Sequence, residues 1–378
     1  MSALFNTYAR RPIALVEGKG TIVKDQNGKE YLDFTSGIAV LSLGHAHPEL
    51  VKALREQSEK IWHTSNLFQA PWQEKLAESL VKDTHFSYAF FCNSGAEANE
   101  AAIKLARKHT GKHHIITFKQ SFHGRTFGSM SATGQEKIQK GFGPMLEKFT
   151  YLPFNDVDAL RNAVDDSVAA IMLEVIQGEG GVNPVTDEFA EAIQEICSQS
   201  DVLLIVDEVQ TGIGRTGSRF AFEQTPLKPD IISLAKGLGG GFPIAAILGT
   251  KELYDTFGPG SHGTTFGGNP LGVAVAQKVI DIVFQPEFLN EVKKKSEYFI
   301  DKLKEAFPDG EFKVKGKGLL LGLESENEVG EYIGKLEEAG LLVCPAGTKV
   351  LRLLPPLTVK YEEIDDAVAI LKKVLSRK

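Results

Sequence analysis

Two residues in this 378-residue chain stand where cofactor chemistry would need them. Asp207 closes the apolar run Val202–Val206, and Lys236 closes the apolar run Ile231–Ala235. In a parallel α/β sheet, ligands sit beyond the carboxyl ends of the strands, so the residues just past each strand are the site candidates. A lysine and a carboxylate in those positions fit pyridoxal phosphate. The amine can hold the aldehyde, and the acid can keep the pyridine nitrogen protonated so that the ring absorbs carbanion electrons. The phosphate wants backbone donors. Ser94, Gly95 and Ala96 supply them after the run Tyr88–Cys92, where small residues open a helix and leave N–H groups free for an anion. After His114–Phe118 come Phe122, an aromatic for stacking, and Arg125, a guanidinium for a carboxylate.

Taken singly, each of these residues has an ordinary explanation. Asp207 alone could be a turn residue, Lys236 a solvated side chain and Phe122 a core ring. The combination, in this order along the chain, is what makes a purely structural account improbable. Two rival chemistries are weaker. His123 and the pairs His45/His47 and His113/His114 invite a metal, but no third ligand with zinc-like spacing accompanies them, so no metal is expected. Gly212-Ile213-Gly214-Arg215-Thr216-Gly217 matches the spacing of a dinucleotide-binding turn and would suit a nicotinamide-dependent dehydrogenase. However, Pro226 and Pro229 come too soon for a long helix, and Asp230 precedes its strand instead of ending it.

The elements that must position these residues are legible in outline. Short apolar runs at 88–92, 114–118, 168–175, 202–206, 231–235 and 244–248 alternate with helical stretches such as 96–109 and 188–198. Continuous apolar strands separated by helices predict a mostly parallel sheet covered on both faces. Residues 13–34 read as a hairpin-like β segment, and 48–62 and 71–82 as helices. Beyond Pro270, helices give way to short strands at 319–323 and 350–354. The expected organisation is a large α/β domain over 48–270 and a smaller α+β domain built from 1–47 and 271–378.

Composition narrows the function further. A hydrophobic share of 42% and a charged share of 24% are those of an ordinary soluble protein. The net charge of −7 argues against nucleic-acid binding, and no apolar run is long enough for a membrane span. The first eleven residues lack the features of a signal or transit peptide, and Cys92, Cys197 and Cys344 read as reduced thiols, so a cytoplasmic location is expected.

The strings NSGAEANEAAIKLAR, SFHGRT, EVIQGEGG, DEVQTGIGRTG, LAKGLGGGFPI and HGTTFGGNP resemble those of class III aminotransferases, pyridoxal-phosphate enzymes of fold type I. The resemblance runs from about Tyr8 to the last helix. It implies Lys236 as the cofactor lysine and Asp207 as partner of the ring nitrogen. It implies Gln210 as donor to the ring hydroxyl, with Val209 and Phe122 packing the two ring faces. Gly95 and Ala96 are implied as phosphate donors, with Thr265 given to the phosphate by the neighbouring subunit of a homodimer that shares its active sites. Thr264 is implied as a substrate contact, and Arg125, assisted by Tyr8, as a clamp for a distant carboxylate. Glu179 and Arg352 resemble a switch pair that admits first a terminal amine and then 2-oxoglutarate. Together with GIAVLSLGHAHP, the motifs point within the family to N2-acetyl-L-ornithine as amino donor, in arginine biosynthesis. Ornithine, succinylornithine and 4-aminobutyrate are the alternatives. Enzymes of the family that use free ornithine carry a tyrosine near the position of Ile38, which this chain lacks.

Overall fold

A period of two in buried side chains fixes the centre of the molecule, a computed structural model in which residues 3–376 are described. Ile171 and Leu173, Leu204 and Val206, Ile232 and Leu234, Ala246 and Leu248 pack into one core. Their neighbours Ala170, Met172, Ile205, Ile231, Ala245 and Ile247 pack into a second. A strand that alternates in this way has apolar layers on both faces, as the continuous apolar runs predict. The seven-stranded sheet runs in the order Tyr88–Cys92, Ala245–Gly249, Ile231–Leu234, Leu203–Asp207, Val168–Leu173, His114–Phe118 and Phe149–Leu152.

Four of its contacts are parallel, but Ala245–Gly249 runs antiparallel to both of its neighbours. The cause lies in the connection. Residues 235–244 are too few for the crossover that a parallel return requires, so the chain turns back on itself. The half-buried edge strand Phe149–Leu152 was not legible as a strand.

The helix Gly95–Thr110 covers one face of the sheet. Alanines at 98, 101, 102 and 106 line its buried side and let the backbones approach closely. Ser94 caps its start, and Gly111, at φ 68°, ends it in the left-handed conformation that glycine adopts without a Cβ clash.

Both chain ends contribute smaller sheets. Residues 13–34 form three antiparallel strands, one more than a hairpin, and the third pairs in parallel with Leu341–Leu342. A C-terminal antiparallel sheet joins Phe312–Lys317, Leu320–Ser325, Val350–Leu353 and Cys344–Ala346. Arg215 ties this region to the centre. Its guanidinium is buried and donates to the carbonyls of Leu319 at 3.0 Å and Pro355 at 2.6 Å. Only a four-residue 3-10 turn, Ala221–Gln224, follows Gly212–Gly217, not a long helix. Added side chains at Gly214 or Gly217 would strike Val283 or Lys293, so these glycines serve packing against the helices Pro270–Val283 and Pro286–Ala306.

Under the sheet, Phe189 meets Phe118 at 5.3 Å and Phe154 at 5.8 Å between ring centroids, both edge to face. Phe189→Ala leaves a cavity at this junction, and a loss of about 3–5 kcal/mol is expected from denaturant unfolding.

Candidate active site

Asp207 lies two residues past Ile205 on the same strand and so faces the helix Gly95–Thr110. Its carboxylate is 4% exposed and well supplied with donors. Oδ2 accepts from Asn99 Nδ2 and from His123 Nδ1, both at 2.8 Å, and Oδ1 accepts from the Val209 N–H at 3.0 Å. A carboxylate has about four acceptor sites, so capacity remains toward the cavity that Asp207 lines. Burial alone would lower the His123 pKa, but the hydrogen bond and charge of Asp207 raise it above its ordinary value.

Lys236 lines the same cavity, whose volume is about 420 Å³. Its φ of +40° is unusual for a residue with a side chain, and such strain persists only where surrounding structure enforces it. Hydrogen bonds hold the segment: the Gly239 N–H donates back to the Lys236 carbonyl at 3.2 Å, and the Ser42 hydroxyl donates to the Gly237 carbonyl at 3.3 Å. Burial lowers the pKa of the Lys236 amine and the Arg352 charge acts the same way, against the opposing pull of Glu179, Asp207 and Glu174. A lysine so placed gives up its proton more readily than a solvated one.

Ser94, Gly95, Ala96, Phe122, Arg125, Val209 and Gln210 line this cavity too. The Ser94 hydroxyl is occupied in the helix cap, accepting from the Glu97 N–H and donating to Glu97 Oε2. Gly95 and Ala96, in the first helical turn, have N–H groups with no intrahelical acceptor. A Cβ at Gly95 would lie 2.8 Å from Val209 Cγ1, so glycine is what lets these walls close up. Arg125 is exposed, with its guanidinium carbon 5.9 Å from the centre of the Phe122 ring.

Glu179 and Arg352 are brought together from sequence positions far apart. Arg352 Nη1 donates to Glu179 Oε1 at 2.9 Å and to Gln210 Oε1 at 2.8 Å. Burial acts to raise the Glu179 pKa, but Arg352 outweighs it and holds the carboxyl below its ordinary value.

Glu179 and Arg352 stand behind Gln210 and do not line the cavity themselves, and Tyr8, Thr264 and Thr265 lie elsewhere within this chain. Tyr8 is 69% exposed and packs on Arg10. Thr264 accepts from Asn93 Nδ2 at 3.1 Å and lines a separate cavity of about 690 Å³, and Thr265 is exposed beside it.

Several neighbours of the site went unread in the sequence. Asn99 and His123 hold Asp207, although an asparagine inside an alanine-rich helix is itself a signal of a side-chain task. Glu174 closes the strand Val168–Leu173 just as Asp207 closes Leu203–Asp207, so the same rule could have found it. It accepts from the N–H groups of Phe122 at 3.2 Å and Gly178 at 3.4 Å. Val40 reaches the cavity from a left-handed turn in which Ser36, Gly37, Ile38 and Ala39 all have φ between 47° and 66°. Asp33 secures that turn, accepting from Thr35 and Ser36 through one oxygen and from His45 through the other.

With this geometry in hand, comparison with known proteins is decisive. The model of the aminotransferase class-III family matches residues 5–375. The chain belongs to that family. It is 54% identical over 379 aligned residues to acetylornithine aminotransferase of Bacillus cereus, covering 100% of this chain and 98% of that one. Among solved structures it resembles ornithine aminotransferase of Toxoplasma gondii with a TM-score of 0.94 at 34% identity, covering 98% of this chain and 92% of the other. N-acetylornithine aminotransferase of Stenotrophomonas maltophilia aligns with a TM-score of 0.85 at 39% identity, covering 97% and 96%. Class-III aminotransferases work with pyridoxal phosphate, and the residues lining the cavity fit that group: an amine, a pinned carboxylate, an open helix start and an aromatic wall.

Burial pushes the Glu174 carboxyl up from its ordinary 4.5 to about 7, with the Asp207 charge adding to the effect. Its folded pKa thus exceeds its unfolded one, so the stability it contributes is full below about 4.5 and is lost as pH rises through about 7. Melting curves of wild type and Glu174→Gln across that window test this. The wild type is expected to lose stability relative to the variant as pH rises.

Proposed function

We propose that this class-III aminotransferase moves the terminal amino group of N2-acetyl-L-ornithine to 2-oxoglutarate. The observation that carries the reading is that Lys236 and Asp207 open into one cavity, in a chain similar over its whole length to acetylornithine aminotransferases. Lys236 would hold pyridoxal phosphate through Nζ, Gly95 and Ala96 its phosphate, Phe122 and Val209 its ring faces, and Gln210 its ring hydroxyl. When bound, the cofactor supplies a conjugated ring that takes up the electron pair left as a substrate C–H bond ionises.

The chain's own residues do the rest. Asp207, its position set by Asn99 and His123, keeps a proton on the ring nitrogen. Lys236 Nζ would take the proton from the donor carbon that bears the amine and return it to the carbon that had carried the cofactor's aldehyde, helped by its lowered pKa. Arg125, at the exposed edge, takes the carboxylate distant from the reacting amine, with Tyr8 assisting. The Glu179–Arg352 pair stays closed while the terminal amine reacts, because that end of the donor carries no carboxylate. It opens for the α-carboxylate of glutamate or 2-oxoglutarate. The two half-reactions alternate in ping-pong order.

The functional unit in this reading is a homodimer. Leu67, Phe68, Trp62, Tyr254 and Phe266 are more than half exposed, a concentration of apolar surface that a second copy would cover. Thr264 and Thr265 stand at that face, so each subunit would lend them to its neighbour's site. A cytoplasmic setting suits the three free cysteines. Among the described residues, no helix is long and apolar enough to cross a membrane. The same reading divides the chain into two domains at residues 48 and 270, since the central sheet lies wholly between those positions.

Assays of semialdehyde formation with 2-oxoglutarate as acceptor decide the substrate. Acetylornithine is expected to be preferred, and a preference for ornithine or 4-aminobutyrate would overturn the assignment. Lys236→Ala should abolish turnover and borohydride trapping of the cofactor, while Asp207→Asn should cost about 3 kcal/mol of barrier, a rate loss on the order of a hundredfold. Mixing inactive Lys236→Ala with Thr265→Val tests the shared site. Hybrid dimers should regain one intact centre and measurable activity, whereas a site confined to one subunit would gain nothing from mixing.

A further inference from the structure

Gln210 has only one way to present its amide. Its Oε1 lies 2.8 Å from Arg352 Nη1, and a guanidinium can donate but never accept. The atom facing Arg352 must therefore be the oxygen, which leaves the NH2 group on the other side. That NH2 has no acceptor among the described residues, although Gln210 is 7% exposed and lines the cavity holding Lys236 and Asp207. The amide cannot drift either. Gly178 packs flat on it, so closely that a Cβ there would fall 2.4 Å from both Gln210 Cδ and Nε2.

Arg352 is itself held from several sides. It is 1% exposed, and besides Gln210 it donates to Glu179 Oε1 at 2.9 Å and to the Pro345 carbonyl at 3.4 Å. One nitrogen, Nη1, thus serves Glu179 and Gln210 together. Any movement of the guanidinium toward a substrate carboxylate breaks both bonds at once.

Resting on the proposed cofactor site, we propose that Arg352 is a positioning residue for Gln210: it orients the amide so that Nε2 donates to the ring hydroxyl oxygen of pyridoxal phosphate, and it withdraws that orientation when it turns to a substrate. The switch then has a second output. With the terminal-amine donor in place, Arg352 stays home and the ring oxygen keeps its donor. With glutamate or 2-oxoglutarate in place, Arg352 leaves, and nothing then decides whether the oxygen or the NH2 end of the Gln210 amide faces the ring. The cofactor therefore senses which of the two substrates is bound through a side chain that touches neither. A guanidinium that served only to gate a carboxylate would have no influence on the ring before substrate arrives.

The test uses that difference and needs no turnover. Cofactor-free wild type, Arg352→Met, Gln210→Ala and the double variant are titrated with pyridoxal phosphate, and the visible absorption of each loaded protein is recorded without substrate. Loss of one oriented hydrogen bond should weaken cofactor binding by about three- to tenfold in Arg352→Met and shift its visible band. Gln210→Ala should do the same, and the double variant should be no worse than either single one, because both remove one interaction. Arg352→Lys, which keeps a donor-only cation, should recover part of the loss and guards against a folding defect in the methionine variant. An unchanged dissociation constant and band in Arg352→Met would overturn the inference, as would losses that simply add in the double variant. If wild type takes up no cofactor on Lys236, the underlying reading fails and this one with it.

Discussion

A carboxylate removed almost wholly from water must be given donors, and the site is organised around meeting that demand at Asp207. Three donors from three segments converge on it: Asn99 from the covering helix, His123 from the loop after one strand, and the Val209 N–H from its own turn. Each also fixes something else. Asn99 Nδ2 donates to the His123 carbonyl at 2.7 Å, which holds the loop carrying Phe122 and Arg125 against the helix that starts at Gly95. Val209, anchored by its own N–H, leaves no room for a side chain at Gly95. Satisfying one buried charge therefore also places the aromatic wall, the anion-binding helix start and the opposing aliphatic wall.

Strain is concentrated in the same neighbourhood. Lys236 sits at positive φ, as do Ser36, Ile38 and Ala39 in the turn that brings Val40 to the cavity. Such residues cost about 1–3 kcal/mol each, so a fold keeps them only where other contacts over-determine the backbone. Asp33 does this for the turn through a fully engaged carboxylate. The two strained segments also meet directly, where Ser42 Oγ donates to the Gly237 carbonyl at 3.3 Å. The lysine loop and the N-terminal turn thus brace each other.

The ends of the chain are part of the chemistry and not an ornament on it. Arg352 comes from a C-terminal strand, yet its partners Glu179 and Gln210 belong to loops of the central sheet. Arg215 makes the reverse connection, reaching from the central region to carbonyls at 319 and 355. Because a buried guanidinium needs fixed acceptors, these two arginines set how the C-terminal sheet sits on the centre.

Local pattern was enough to reveal the alternation of strand and helix, the helix that opens with small residues after Ser94, and the placing of Asp207 and Lys236 at strand ends, because period and strand-terminal chemistry are written in neighbouring residues. The reversed strand at 245–249 was implicit too, in a connection too short to cross over. What the sequence could not decide is everything that depends on residues distant along the chain meeting in space. That His123 serves Asp207, that Glu174 stands beside them, and that Arg352 is shared by Glu179 and Gln210 are outcomes of packing. Partner choice among buried polar groups is set by which donors and acceptors the closed core leaves within about 3 Å of one another, and only the tertiary structure fixes that distance.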